Sequence, residues 1–220
     1  MDSFDQVRLK ASLRSSWIIQ ADCDPLKPLA VVEAAAVSLK LELIELPSGD
    51  PALKGARALY DDQSGAICFE QTSGIADRAL LIAHELGHAE LHAGASSCDS
   101  SEIDPSQTSQ DSPTGIQRVE DYGAKERREL QANVYARELL LPRPLVADLY
   151  LVRGLKSTDI AEQTGLPLAL VRQQLTDALL LPKPEAQLGL SENGVDTPSC
   201  DPSQIRAVSH RGSAYQLQAG

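Results

Sequence analysis

Apolar positions recur at helical spacing over residues 4–19. After a break at Pro25 and Pro28, LAVVEAAAVSLK repeats the pattern with an alanine-rich face, so the chain should open on two helices. LELIEL alternates apolar and acidic residues, as a half-buried strand does. ARALY and AICFE give two further strands, joined by DDQSG, whose Asp, Ser and Gly are hairpin chemistry. A helix over residues 75–93 follows, with Ala79, Ile82, Leu86 and Ala89 along one apolar stripe and a stop at Gly94. Residues 94–123 are rich in Ser, Asp, Gln and Pro with almost no apolar content, which predicts a long mobile loop. Two helices come next, AKERRELQANVYARELL and PLVADLYLVRG, separated by Pro142 and with Pro144 in the first turn of the second. Residues 157–180 then read as two short helices about a turn at Gly165, with Ser157 as the N-cap.

The chemistry concentrates in HELGH, within residues 75–93. Residues four apart on a helix differ by about 40° and stack one turn above the other, so His84 and His88 can present two imidazoles to a single ion. Glu85, roughly 100° further round, flanks that ion without having to ligate it. A divalent ion with an open position lowers the pKa of bound water, and a carboxylate beside it can take the proton as the water attacks a carbonyl. Gly87 would admit a close neighbour at the middle of this helix. The alternative is a pair of exposed histidines with Glu85 as a solvated charge.

The remaining ligand is open on spacing alone. His92 lies about 12 Å along the axis from His84, too far to share the ion directly. It is either a group that orients a ligand or substrate from outside the coordination sphere, or a histidine at a fraying helix end. Glu129 shares a helix face with Ala132, Asn133, Ala136 and Leu140, and the alanines would let that helix lie close to the histidines. A His, His, Glu set with a water is a catalytic zinc arrangement, whereas a surface glutamate in an acidic and basic helix fits the same spacing. Asn133 is a further candidate for orienting a ligand.

The bulk numbers narrow the partners. Lys and Arg total 20 against 31 Asp and Glu, a net charge of -11, so the chain has no general basic footprint for nucleic acid. Cys23, Cys68, Cys98 and Cys200 lie far apart with no C-x-x-C spacing, which points to a reducing cytoplasm rather than to a disulfide framework or a zinc knuckle. The first residues carry no apolar signal region, and no run approaches a membrane span.

AHELGHAELH followed by ELQANVYARELLLP resembles the ImmA/IrrE family of bacterial metallopeptidases, in which an H-E-L-G-H helix precedes an E-x-x-A-N-x-[FY]-A-x-x-L-L-x-P helix. The resemblance covers roughly residues 30–180. It implies an α+β zincin-like fold with a small mixed sheet, His84, His88 and Glu129 as metal ligands, and Glu85 as the catalytic base. The metal would be Zn2+, with Mn2+ or another divalent ion as the alternative. The resemblance further implies a protein substrate of the helix-turn-helix repressor type, in a stress or DNA-repair setting. The spacer at 94–123 is longer than is usual in the family and bears on the shape of the cleft. AICFE could take an extended substrate segment at a sheet edge, or be an internal strand.

Ala161, Gly165 and Val171 reproduce the small residue, turn glycine and inward apolar residue of a helix-turn-helix. The second helix offers DNA only Arg172, Gln173 and Gln174, so packing or protein docking is favoured over reading DNA. DPSQIRAVSHRGSAYQLQAG resembles the start of a UvrD-like helicase domain, with Gln204 at the adenine-reading position, but no G-K-[ST] follows. The expected organisation is a peptidase domain at 1–153, helix-turn-helix-like helices at 154–182, a linker at 183–199 and the start of a helicase-like domain at 200–220. The alternative function is a non-catalytic, metal-stabilised regulatory or docking module attached to a helicase.

Overall fold

The structure is a computed structural model and describes residues 3–21, 23–72, 74–92 and 124–181. Among these residues the chain forms seven α-helices and a three-stranded sheet, a mixed α+β architecture. Helix α1 spans Phe4–Gln20 and begins in a capping box. The Ser3 hydroxyl accepts from the Gln6 amide at 3.2 Å, and the Gln6 side chain accepts from the Ser3 amide at 2.7 Å. Helix α2, Pro28–Ser38, starts on proline, whose fixed φ suits a first turn.

Strands β1 (Glu42–Leu46), β2 (Ala58–Asp61) and β3 (Ala66–Glu70) lie in the order β1-β3-β2, with β1 parallel and β2 antiparallel to β3. The β2–β3 hairpin turns as its residues suggest. Asp61 accepts from the Gln63 amide and the Ser64 hydroxyl, and Gly65 takes a φ of +65° that a side chain would disfavour. AICFE is therefore the central strand, paired on both sides, and cannot take a substrate strand. The edge beside the histidine helix is β2.

Helix α3 (Ile75–Leu91) packs over β2 and β3, and α4 (Ala124–Leu140) lies against both α3 and α1. One core joins them: Val7, Ala11 and Ile18 of α1 meet Val31 and Ala35 of α2, Leu81 and Leu86 of α3, and Tyr135 and Leu139 of α4. Helix α5, Arg143–Ala147, runs on into a π turn at Asp148–Val152. Helices α6 (Ser157–Thr164) and α7 (Leu168–Leu180) follow, joined through Gly165 at φ +70°. Ser157 is the first residue of α6 rather than its cap. Lys156 holds that position, and its amide donates to the Asp159 carboxylate at 2.9 Å.

Ala161 is half-buried and Val171 fully buried, as a packed helix pair needs. Of the three polar side chains offered to DNA, two are committed internally. Gln174 is buried and donates to Glu138 at 2.8 Å, and Gln173 donates to Asp177 at 2.9 Å. Arg172 is exposed. The expectations for residues 94–123, and for the linker and tail from 183 to 220 with Gln204, lie outside the described residues. Among the described residues no helix is long and apolar enough to cross a membrane.

Candidate metal centre

The site is made by the close approach of α3 and α4. Gly87 has no side chain, and a Cβ there would sit 3.0 Å from the Cα and 3.1 Å from the carbonyl oxygen of Ala132. Glycine against alanine thus lets the two backbones touch, and Glu129 and Asn133 on α4 meet the histidines on α3. The apolar stripe of α3 is buried as expected at Ala79, Ile82 and Leu86. The polar face is buried too, with His84 2% and Glu85 1% exposed. Burying such groups is costly unless each finds a partner, so their contacts carry information.

Three ligand-type atoms converge. His84 Nε2 lies 3.0 Å from His88 Nε2 and 3.2 Å from Glu129 Oε2, and His88 Nε2 lies 3.5 Å from the same oxygen. Ligands bound tetrahedrally at about 2.1 Å stand about 3.4 Å apart, so these separations suit one shared ion. The other Glu129 oxygen, Oε1, is buried with no hydrogen-bond partner among the described residues. A carboxylate in that state calls for a cation, and the donor set of two imidazoles and a carboxylate is one that zinc accepts. His84, His88 and Glu129 therefore fit a divalent metal.

The surrounding groups fix proton positions. Asn133 Oδ1 lies 2.8 Å from His84 Nδ1, so this nitrogen donates and Nε2 keeps its lone pair for the centre. His92 caps the C-terminus of α3, with Nδ1 3.1 Å from His88 Nδ1 and Nε2 3.0 Å from Gln131 Oε1. Burial of His92, with the charges of His88 and Arg128 adding to it, lowers its pKa and favours the neutral ring. Burial opposes charge on Glu129 as well, yet hydrogen bonds with His84 and His88 and their charges hold its pKa well below the usual carboxylate range. At His84 burial again works against the charged form, but the Glu129 hydrogen bond and the Glu85 and Glu129 charges raise its pKa.

Glu85 does not join the ligand cluster. Its Oε2 accepts from the Tyr60 amide of β2 at 2.8 Å, which ties the carboxylate to the sheet edge. The structure thus brings together His84, His88, Glu129 and Asn133, with His92 one contact further out and Glu85 alongside. Sequence reasoning missed Gln131 and the Tyr60 amide. Gln131 has no periodic relation to Glu129, and a backbone donor leaves no mark in the residue pattern.

The family described as "IrrE N-terminal-like domain", a peptidase family, matches residues 38–176, more than half of the 220 residues, and so takes in every group just described. No curated protein and no solved structure matches the chain.

Proposed function

The chain belongs to the IrrE N-terminal-like domain family of peptidases, and from that premise we propose that it is a zinc-dependent endopeptidase acting on a regulatory protein. The observation that carries this reading is the convergence of His84 Nε2, His88 Nε2 and Glu129 Oε2 around one point, with a buried Glu129 oxygen lacking a partner among the described residues. Zinc, or manganese in its place, would supply Lewis acidity, lowering the pKa of a water and polarising the scissile carbonyl. Glu85 would take the proton from that water and return it to the leaving amine, a transfer worth about 10²–10⁴-fold in rate. The Tyr60 hydrogen bond holds the Glu85 carboxylate in one orientation for this work. Asn133 keeps the His84 Nε2 lone pair turned inward.

The substrate segment would lie along β2. Arg57 O accepts from Glu70 N at 2.8 Å and Asp61 O from Gly65 N at 3.0 Å, so residues 57, 59 and 61 turn their backbone groups toward β3. Residues 58 and 60 turn theirs away from β3, where Ala58 is fully buried and the Tyr60 amide donates to Glu85. An extended peptide would therefore join β2 past Tyr60, beside the metal ligands, without displacing Glu85. A helix-turn-helix repressor as substrate, and a stress or DNA-repair setting, rest on the ImmA/IrrE resemblance. The free thiols of Cys23 and Cys68 accord with a reducing cytoplasm. A helicase joined in cis and an adenine contact by Gln204 rest on the tail motif alone. Helices α6 and α7 are proposed as a docking part at 154–182 beside the peptidase part at 1–153, since Gln173 and Gln174 face inward.

The deep burial of His84 and Glu85 favours a second reading, a metal-stabilised docking module without turnover. Zinc-loaded protein incubated with repressors encoded nearby separates the two. The peptidase reading expects a cut that Glu85→Gln abolishes while retaining zinc. Cleavage by that variant at the wild-type rate would sink the assigned mechanism, and zinc binding with every repressor left intact would favour the docking module.

A further inference from the structure

A neutral imidazole has one N–H and one lone pair, so the partner of one nitrogen decides what the other can do. Gln131 Oε1 can only accept, which places the proton of His92 on Nε2, 3.0 Å away. His92 Nδ1 is then a lone pair, and it faces His88 Nδ1 at 3.1 Å. For that contact to be a hydrogen bond, His88 Nδ1 must donate, leaving the lone pair of His88 on Nε2, the nitrogen that meets His84 and Glu129. The reverse amide orientation at Gln131 would donate to His92 Nε2, reverse both rings and point an N–H of His88 at the centre. Gln131 is buried, and it is the carbonyl oxygen that its side chain turns to His92.

We propose that Gln131 is a positioning residue of the metal centre: acting through His92, it fixes the tautomer of His88 so that Nε2 is offered to the ion. Helix α4 then serves both histidines. Asn133 sets His84 directly, Gln131 sets His88 through one intermediate ring, and Glu129 completes the ligand set. The inference rests on the reading of His84, His88 and Glu129 as ligands, and it adds a residue that reaches them through His92.

The test is zinc affinity of the full chain, measured by competition with a chromophoric chelator. Gln131→Leu, which keeps the volume and removes the acceptor, should weaken binding about 10–100-fold. His92→Phe should do the same. Because Gln131 acts only through His92, the double variant should bind no more weakly than His92→Phe alone. Costs that add, or a Gln131→Leu affinity equal to the wild type, would overturn the relay. A second readout does not depend on the variants folding: in the long-range ¹H–¹⁵N spectrum of the zinc-loaded wild type, His92 should carry its proton on Nε2. A proton on Nδ1 would overturn the proposal. Wild-type protein that binds no zinc would remove the ligand reading itself, whereas normal wild-type binding with an unaffected Gln131→Leu removes the relay alone.

Discussion

Helix α4 carries two buried polar clusters that are built alike and end differently. Glu129 and Asn133 face His84 of α3, and Gln131 meets His92 just past the end of α3. Along its second half, Arg137 and Glu138 meet Arg8, Arg143, Gln174 and Asp177 from α1, α5 and α7. In the second cluster acids and bases pair off across helices: Glu138 with Arg143, and Asp177 with Arg137 and Arg8. In the first, two imidazole nitrogens and a carboxylate oxygen, atoms that all suit a cation, converge on one point. Opposite charges that meet one another across helices hold a fold together, while polar groups aimed at one common point leave room for something else.

This contrast can be broken from either side. Removing an acid from the paired cluster should have the largest effect on stability. Glu138→Ala strips a 2%-exposed carboxylate from Arg143, the Arg143 amide and Gln174, leaving a buried guanidinium without its carboxylate. The expected loss is about 3–5 kcal/mol in denaturant unfolding, with zinc affinity of the folded fraction unchanged. Glu129→Gln should show the opposite pattern. Zinc affinity should fall by about 3–4 kcal/mol, one ligand's share of a four-ligand site. The metal-free protein should lose less stability than with Glu138→Ala, because the Glu129 side chain is 24% exposed and its pairing is screened by solvent.

Gly87→Ala probes the contact on which the first cluster depends. The added methyl meets backbone atoms of Ala132, which cannot give unless α4 shifts, so a cost of about 1–3 kcal/mol and weaker zinc binding are expected together. Unchanged zinc binding would detach the ligand geometry from this close approach.

The smallest effect is a pH dependence of the metal-free protein. His84 has its pKa raised above 6.5, so its contribution to stability is full below that value and is lost as pH rises through the folded-state pKa. Glu129 has its pKa lowered from 4.5, so its contribution is present above that value and is lost as pH falls through the depressed one. The pair thus contributes most between 4.5 and 6.5. In that window zinc must displace a proton from His84, so zinc affinity should fall as pH is lowered through it. Calorimetry in buffers of different ionisation enthalpy would count the proton released, and no release would contradict the His84–Glu129 pair.

The histidine cluster was largely legible because it is periodic. His84 and His88 are one turn apart, and Asn133 stands one turn beyond Glu129, so helical geometry groups them before any fold is known. Grouping Glu129 with the histidines needed the resemblance, since spacing alone fits a surface glutamate. Gln131 was illegible for a geometric reason: two residues from Glu129, it points about 200° away around α4, and it connects to the site through His92, which reaches it from the end of α3. The strands were readable one by one, but their order was not. Placing β1 parallel beside β3 is a tertiary choice, and it made β2 rather than AICFE the edge strand beside α3. The paired cluster was invisible because Arg8, Arg137 and Asp177 belong to three helices far apart in the chain.

The central claim is that His84, His88 and Glu129 hold one divalent ion, and the most direct measurement is metal content. Protein loaded with zinc and then desalted should retain one ion per chain in the wild type and in Glu85→Gln, and clearly less in His88→Ala. A wild type that retains no zinc, or a His88→Ala variant that retains a full equivalent, would contradict it.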